Sequence, residues 1–155
     1  MLPVVEIADP AQPHPVDDRV IGAFCKVERC AVVLRQSTGW TIVGSPRGVQ
    51  FPVVFVDHKD GHFSALDLPA DQQTRATAAV LRWPSVANFD VFTPDLVNTP
   101  ANMQMCFWYA AARGLSRWRG QMLGGGKAWS NAAVALKTKV FAALVNEHTV
   151  LACAR

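Results

Sequence analysis

The chain has few charged residues, no long apolar run and no internal repeat. Only 17% of its 155 residues are charged and 50% are hydrophobic, which excludes an intrinsically disordered chain. No apolar run approaches the ~20 residues of a membrane span, and none of the repeats that build collagen, coiled coils or solenoids is present. The length corresponds to about one domain, large enough to bury a core without disulfides or metal.

Acidic residues are scarce after residue 102. Residues 103–155 carry seven Lys or Arg and one acid, Glu147, whereas residues 1–102 have a net charge of −3. A basic half is typical of a solvated helical face, or of a surface for RNA or an acidic protein. The latter gives an alternative function: a non-catalytic binding module whose basic helices, with Trp118 and Trp129, contact RNA or protein.

Cysteines are few, and no signal peptide opens the chain. The four are Cys25, Cys30, Cys106 and Cys153. Without secretory features, such cysteines indicate free thiols and not a disulfide framework. We therefore expect a cytoplasmic protein without a membrane span.

A zinc site is the main competing hypothesis for the cysteines. Cys25 and Cys30 are spaced C-x4-C, and His58 and His62 are spaced H-x3-H, which is compatible with a Cys2His2 site. The 27 residues between Cys30 and His58 exceed the usual zinc-finger spacing and are predicted to form strands. In this alternative, His62 is a metal ligand. The catalytic hypothesis developed below requires neither a metal nor a cofactor.

The chain divides into an arm and one domain. Residues 1–17 contain four prolines and predict an extended arm or linker, and residues 18–155 predict a single domain. Apolar and β-branched segments predict strands at Val20–Val27, Ala31–Arg35, Trp40–Val43, Val49–Asp57 and His62–Leu68. A polar turn ending in Asp-Gly joins the last two strands, which predicts a β-hairpin.

The second half of the domain changes to helical patterning. Helices are predicted over Ala70–Trp83, from Asn102 or Gln104 through Cys106 to Trp118, and from a Ser130 cap to about Asn146. One face of the last helix carries Ala133, Leu136, Val140, Phe141 and Leu144. Strands followed by helices predict an α+β fold with an N-terminal antiparallel sheet.

Cys106 falls in the first turn of a predicted helix. The positive potential and free amides of a helix N-terminus lower the pKa of a thiol, and the thiolate is the nucleophile. The Cys106 amide and the side chains of Gln104 and Asn102 are candidate donors to an oxyanion. The alternative is a buried structural cysteine.

His62 is the first residue of a predicted strand, beside a turn. A nucleophilic thiol needs a base within hydrogen-bond reach, and this position lets an imidazole face a cleft. An exposed turn histidine is the alternative. Cys106 could also pair with His148, although His148 lies at a helix end with no sheet between the two.

Together the two segments resemble a known protease family. Cys106–Ala110 (CFWYA) is similar to the nucleophile segment of papain-like and ovarian-tumour-type (OTU) cysteine proteases. Gly61-His62-Phe63 resembles the histidine segment of OTU-type deubiquitinases and related viral proteases. Because His62 precedes Cys106, the order is that of permuted papain-like peptidases, which are known from double-stranded RNA viruses and eukaryotes.

The resemblance implies a permuted papain-like fold with the nucleophile at a helix N-terminus. It implies a cysteine protease or deubiquitinase that hydrolyses peptide or isopeptide bonds. Expected substrates are ubiquitin or ubiquitin-like conjugates, or the polyprotein of a virus, in the host cytoplasm.

The residue that orients the histidine is left open by the sequence. Asp57 could reach His62 across the hairpin, and Asp67 lies five residues after it. Asn98 is an amide candidate. A dyad without a third member is a further possibility.

Overall fold

A computed structural model describes residues 15–44, 52–82, 89–100, 104–121 and 123–153, with side chains through residue 146. The helices are α1 (Asp18–Glu28), α2 (Ala70–Arg82), α3 (Cys106–Trp118) and α4 (Lys127–Cys153). The strands are β1 (Ala31–Gln36), β2 (Gly39–Val43), β3 (Val53–Lys59), β4 (His62–Asp67) and β5 (Asp95–Val97). The predicted α+β class is confirmed.

The five strands form one mixed sheet in the order β2-β1-β3-β4-β5. The prediction of an antiparallel sheet is wrong for one pair, since β1 and β3 run parallel while the other neighbours are antiparallel. The predicted β3–β4 hairpin is confirmed. Asp60 and Gly61 form its turn with φ angles of 53° and 76°, the left-handed pair that matches the twist of flanking strands.

The predicted strand over Val20–Val27 is wrong, because this segment is part of α1. Its apolar residues are buried with helical spacing at Val20, Ile21 and Phe24. The Asp17 carboxylate accepts a hydrogen bond from the Val20 amide at 3.0 Å and caps the helix. A short apolar run does not by itself distinguish a buried strand from a buried helix.

Helices cover both faces of the sheet. On one face α1, α3 and α4 surround a core that includes Phe24, Phe107 and Trp108, all fully buried. On the other face α2 packs with Phe89 over the alternate residues of the central strands. The α2 prediction is confirmed through Arg82, and Trp83 lies outside the described residues.

The long α4 helix closes the core through its apolar face. The five residues predicted for that face are all buried: Ala133, Leu136, Val140, Phe141 and Leu144. Ser130 is not the cap, because the helix begins at Lys127 and the Ser130 amide donates to the Gly126 carbonyl at 3.0 Å.

Two contacts set the position of α3 on the sheet. Gly114 lies so close to β3 that a Cβ there would be 2.5 Å from Cγ1 of Val54. The guanidinium of Arg113 binds the Asp67 carboxylate of β4 through Nη2 at 2.6 Å and Nε at 3.0 Å. The first contact fixes the height of the helix and the second fixes its register along β4.

Part of the predicted arm contacts the domain. Val16 packs against the core beside α1, and Asp17 caps that helix, whereas residues 1–14 lie outside the described residues. Within the described ranges, no helix combines the length and the apolar character that crossing a bilayer requires.

Candidate active site

A cavity of about 390 Å³ opens where the β3–β4 hairpin meets the start of α3. Three separate parts of the chain form its wall. The lining residues are Pro15, Val16, His58, Gly61, His62, Phe63, Gln104 and Cys106. Cys106 and His62, 44 positions apart in the sequence, therefore face one cavity.

Cys106 is the first residue of α3 and is 8% exposed. Met105 provides no side-chain cap, and the Tyr109 amide makes the first helical hydrogen bond, to the Met105 carbonyl at 3.1 Å. The amides of residues 106–108 therefore have no partner within the helix, as is general at helix N-termini. These amides are available as donors to a bound oxyanion.

The backbone of β4 also contacts the thiol. The Phe63 amide donates to Cys106 Sγ at 3.5 Å, at a position where β4 extends beyond the end of β5. This contact holds the Cys106 sulfur beside the backbone of β4 at the wall of the cavity. Within the described ranges, no hydrogen bond joins the sulfur to the His62 ring, and the two groups share the cavity without direct contact at hydrogen-bond distance.

His62 is the first residue of β4 and is half-buried. Its Nε2 lies 3.3 Å from the hydroxyl oxygen of Thr99, two residues beyond β5. The same hydroxyl donates to the Phe63 carbonyl at 2.5 Å. Thr99 is a contact that the sequence analysis missed, and no local motif marks it.

His58 is a second imidazole in the cavity wall. It stands opposite Phe63 in the β3–β4 register, and the two rings stack with centroids 4.1 Å apart. In the sequence, His58 stands out only as a candidate zinc ligand. Strand alternation could have placed it, because Val54 and Val56 of the same strand point to the core beneath α3.

The aspartates predicted to orient His62 have other partners. Asp57 accepts a hydrogen bond from Arg35 Nε at 2.8 Å, and Asp67 binds Arg113 at the far end of β4. The Asp67 interaction raises the pKa of the Arg113 guanidinium, which stays protonated. Neither carboxylate is hydrogen-bonded to His62, whose observed side-chain partner is the hydroxyl described above.

Gln104 is well placed among the predicted oxyanion donors. It lines the cavity, and its φ of 56° turns the chain sharply just before α3. Asn102 lies outside the described residues, as does the side chain of His148.

The four residues of the zinc hypothesis do not converge. Ala31, next to Cys30, pairs with Val53 at the start of β3, whereas His58 lies five residues further along, a distance of roughly 16 Å at the rise of a strand. No group of three or more metal-ligating side chains occurs in the described ranges. Cys25 and Cys30 are both buried in the core, where a side-chain hydrogen bond to Cys25, together with burial, raises the pKa of the Cys30 thiol.

The cations of the basic half are largely engaged within the fold. Lys137 is 2% exposed. The internal ion pairs are Arg113 and Arg117 with Asp67, and Arg119 and Lys139 with Glu28. Two carboxylates therefore pair with four cations, and the side chains of Arg119 and Lys139 remain 46% and 60% exposed at the surface.

Comparisons of the chain with protein-family models, with curated protein sequences and with solved structures gave no match.

Proposed function

We propose that this protein is a cysteine peptidase with Cys106 as nucleophile and His62 as general base. The observation that carries the proposal is the shared cavity, because Cys106 at a helix N-terminus and His62 both line it. We further propose that the fold is a permuted form of the papain-like fold. The His-before-Cys order and the position of Cys106 at a helix start support it.

The reaction begins with transfer of the Cys106 proton to His62. The thiolate attacks the carbonyl carbon of a peptide or isopeptide bond, and the carbonyl oxygen becomes an oxyanion. The free amide of Cys106 and the Gln104 side chain are the candidate donors to it. His62 then returns the proton to the leaving amine, and water hydrolyses the thioester to release the acid and restore the thiol.

The separation of sulfur and imidazole is compatible with this role. Catalytic hydrogen bonds are often long or unformed before substrate binds and shorten in the complex. The amide of Phe63 meanwhile contacts the sulfur at 3.5 Å. This contact is already formed in the structure without substrate.

The proposed substrates are ubiquitin-like conjugates or a polyprotein, cleaved in the cytoplasm of the host cell. The cavity of about 390 Å³ lies within the usual size range of ligand sites, and a ubiquitin-like substrate would place its Gly-Gly tail there.

The test is labelling by a ubiquitin probe with a C-terminal electrophile, with intact mass as the readout. Wild type should form one adduct and Cys106→Ala should form none. The labelling rate of His62→Ala should be lower than that of wild type by a factor of about 100 or more. Cys25→Ala is the matched control, because it removes a buried thiol outside the cavity and should keep the adduct.

A small thiol reagent, chloroacetamide, separates the substrate from the chemistry. Fast alkylation of Cys106 that depends on His62, without reaction of the ubiquitin probe, would support a peptidase with another substrate. Slow alkylation that is equal in wild type and His62→Ala would refute the dyad. A loss of reactivity in His58→Ala and not in His62→Ala would transfer the role of base to His58.

A further inference from the structure

We infer that Thr99 is the positioning residue of this site, and that its hydroxyl fixes His62 with the proton on Nε2. The inference rests on the proposed function for its catalytic meaning. Its structural content, the tautomer of one ring, can be measured whether or not the protein is a peptidase.

The sheet delivers Thr99 to this position. In the β4–β5 register Ala65 pairs with Val97, and continuing that register by two residues places Thr99 opposite Phe63. The strand β5 ends before that point, so the side chain of Thr99, and not a backbone amide, satisfies the Phe63 carbonyl. Thr99 is 7% exposed, which protects the contact from water.

Counting protons then determines the tautomer of His62. A threonine hydroxyl has one proton and two lone pairs. The 2.5 Å contact to the Phe63 carbonyl takes the proton, because a carbonyl oxygen can only accept. The 3.3 Å contact to His62 must therefore be donated by Nε2–H to the hydroxyl oxygen.

This assignment leaves Nδ1 of His62 with the free lone pair. When the thiol of Cys106 loses its proton, Nδ1 is the nitrogen that takes it, and Nε2 keeps its own proton and its bond to Thr99. The resulting imidazolium is held by a neutral acceptor, which keeps the ring orientation without burying a second charge. Thr99 thus acts on the reaction through His62 and does not contact the substrate.

Two variants and two readouts test this inference. Thr99→Val keeps the shape and removes the hydroxyl, whereas Thr99→Ser keeps the hydroxyl. Long-range ¹H–¹⁵N spectra of the histidine rings report the tautomer, and His62→Gln assigns the signals. Chloroacetamide reports the reactivity of Cys106, and circular dichroism checks the fold.

We expect the Nε2–H tautomer of His62 in wild type and Thr99→Ser, and a mixture of tautomers in Thr99→Val. The alkylation rate of Cys106 should fall about 10- to 100-fold in Thr99→Val, a smaller loss than removal of the base in His62→Ala should cause. The rate should recover in Thr99→Ser. An Nδ1–H tautomer in wild type, or an unchanged tautomer in folded Thr99→Val, would overturn the inference. Alkylation that ignores His62 while the tautomer responds to Thr99 would instead overturn the proposed function alone.

Discussion

The close approach of α3 to the sheet at Gly114 gives a prediction whose size can be worked from the structure. A Cβ at this position would lie 2.5 Å from Cγ1, 3.3 Å from Cβ and 3.4 Å from Cγ2 of Val54. Val54 is fully buried in the central strand β3 and cannot move aside freely. Gly114→Ala should therefore push α3 away from the sheet.

Two opposing contributions set the magnitude. Alanine is favoured over glycine in a helix by about 0.8–1.0 kcal/mol. Overpacking a core opposes this by about 1–3 kcal/mol. The net effect of Gly114→Ala on the free energy of unfolding is a loss of about 0–2 kcal/mol, nearer the upper end because 2.5 Å is well inside van der Waals contact.

The chain provides a matched control in Gly22, a helical glycine of α1 whose added Cβ would have no atom within 4 Å. Gly22→Ala should gain the helix propensity without the clash, so the two variants should differ by the overpacking contribution of about 1–3 kcal/mol. Urea unfolding followed by circular dichroism measures both. Equal stability of the two variants would refute the packing argument.

A second substitution shows whether Val54 is the cause. Adding Val54→Ala to Gly114→Ala removes the side chain that the new Cβ meets, so the double variant should be more stable than the sum of the single effects implies. Because α3 carries Cys106, Gly114→Ala should also lengthen the contact between its sulfur and the Phe63 amide and slow its alkylation.

Three further predictions concern the elements that support the site. Asp67→Asn weakens the ion pair between Asp67, whose side chain is 13% exposed, and Arg113, whose side chain is 29% exposed. The substitution should lower the free energy of unfolding by about 1–3 kcal/mol in urea titrations. Asp67 raises the already high pKa of Arg113, so the contribution of this cation to the free energy of unfolding is lost only as the pH rises through strongly alkaline values. A steep loss of that contribution near neutral pH, measured by urea titrations of wild type and Asp67→Asn, would contradict this. A Cβ at Gly61 would meet no neighbouring atom, but the φ of this residue is 76°, so backbone strain alone should make Gly61→Ala less stable by about 1–2 kcal/mol. The midpoint of thermal unfolding measures this loss, and an unchanged midpoint would exclude that turn geometry.

Local patterns predicted most of the elements. The Asp-Gly turn specifies the hairpin, and the periodic apolar residues of α4 specify its buried face. The error at Val20–Val27 arose because a short apolar run suits both a strand and a helix, and Asp17 was not recognised as a cap. The parallel pairing of β1 with β3 is set by packing between distant segments, which no local pattern encodes.

For the candidate site, the sequence identified the thiol and the imidazole but not their surroundings. Cys106 and His62 are visible from their places at a helix start and a strand start. The partner of His62 is not, because Thr99 reaches it only through the register of β5 against β4. Asp57 and Asp67 were plausible by proximity in sequence, yet arginines from other elements bind both carboxylates.

The wall of the cavity comes from residues 15–16, the β3–β4 hairpin and the start of α3, and no single element contains the site. The proposed His62-dependent reactivity of Cys106 therefore requires the assembled tertiary structure, and we expect an isolated fragment to lack it. His62 precedes Cys106 by 44 positions and is synthesised first, so the proposed dyad is complete only after α3 has docked on the sheet. The same thiol makes a folding probe, since its His62-dependent alkylation should vanish in the same urea transition that unfolds the sheet.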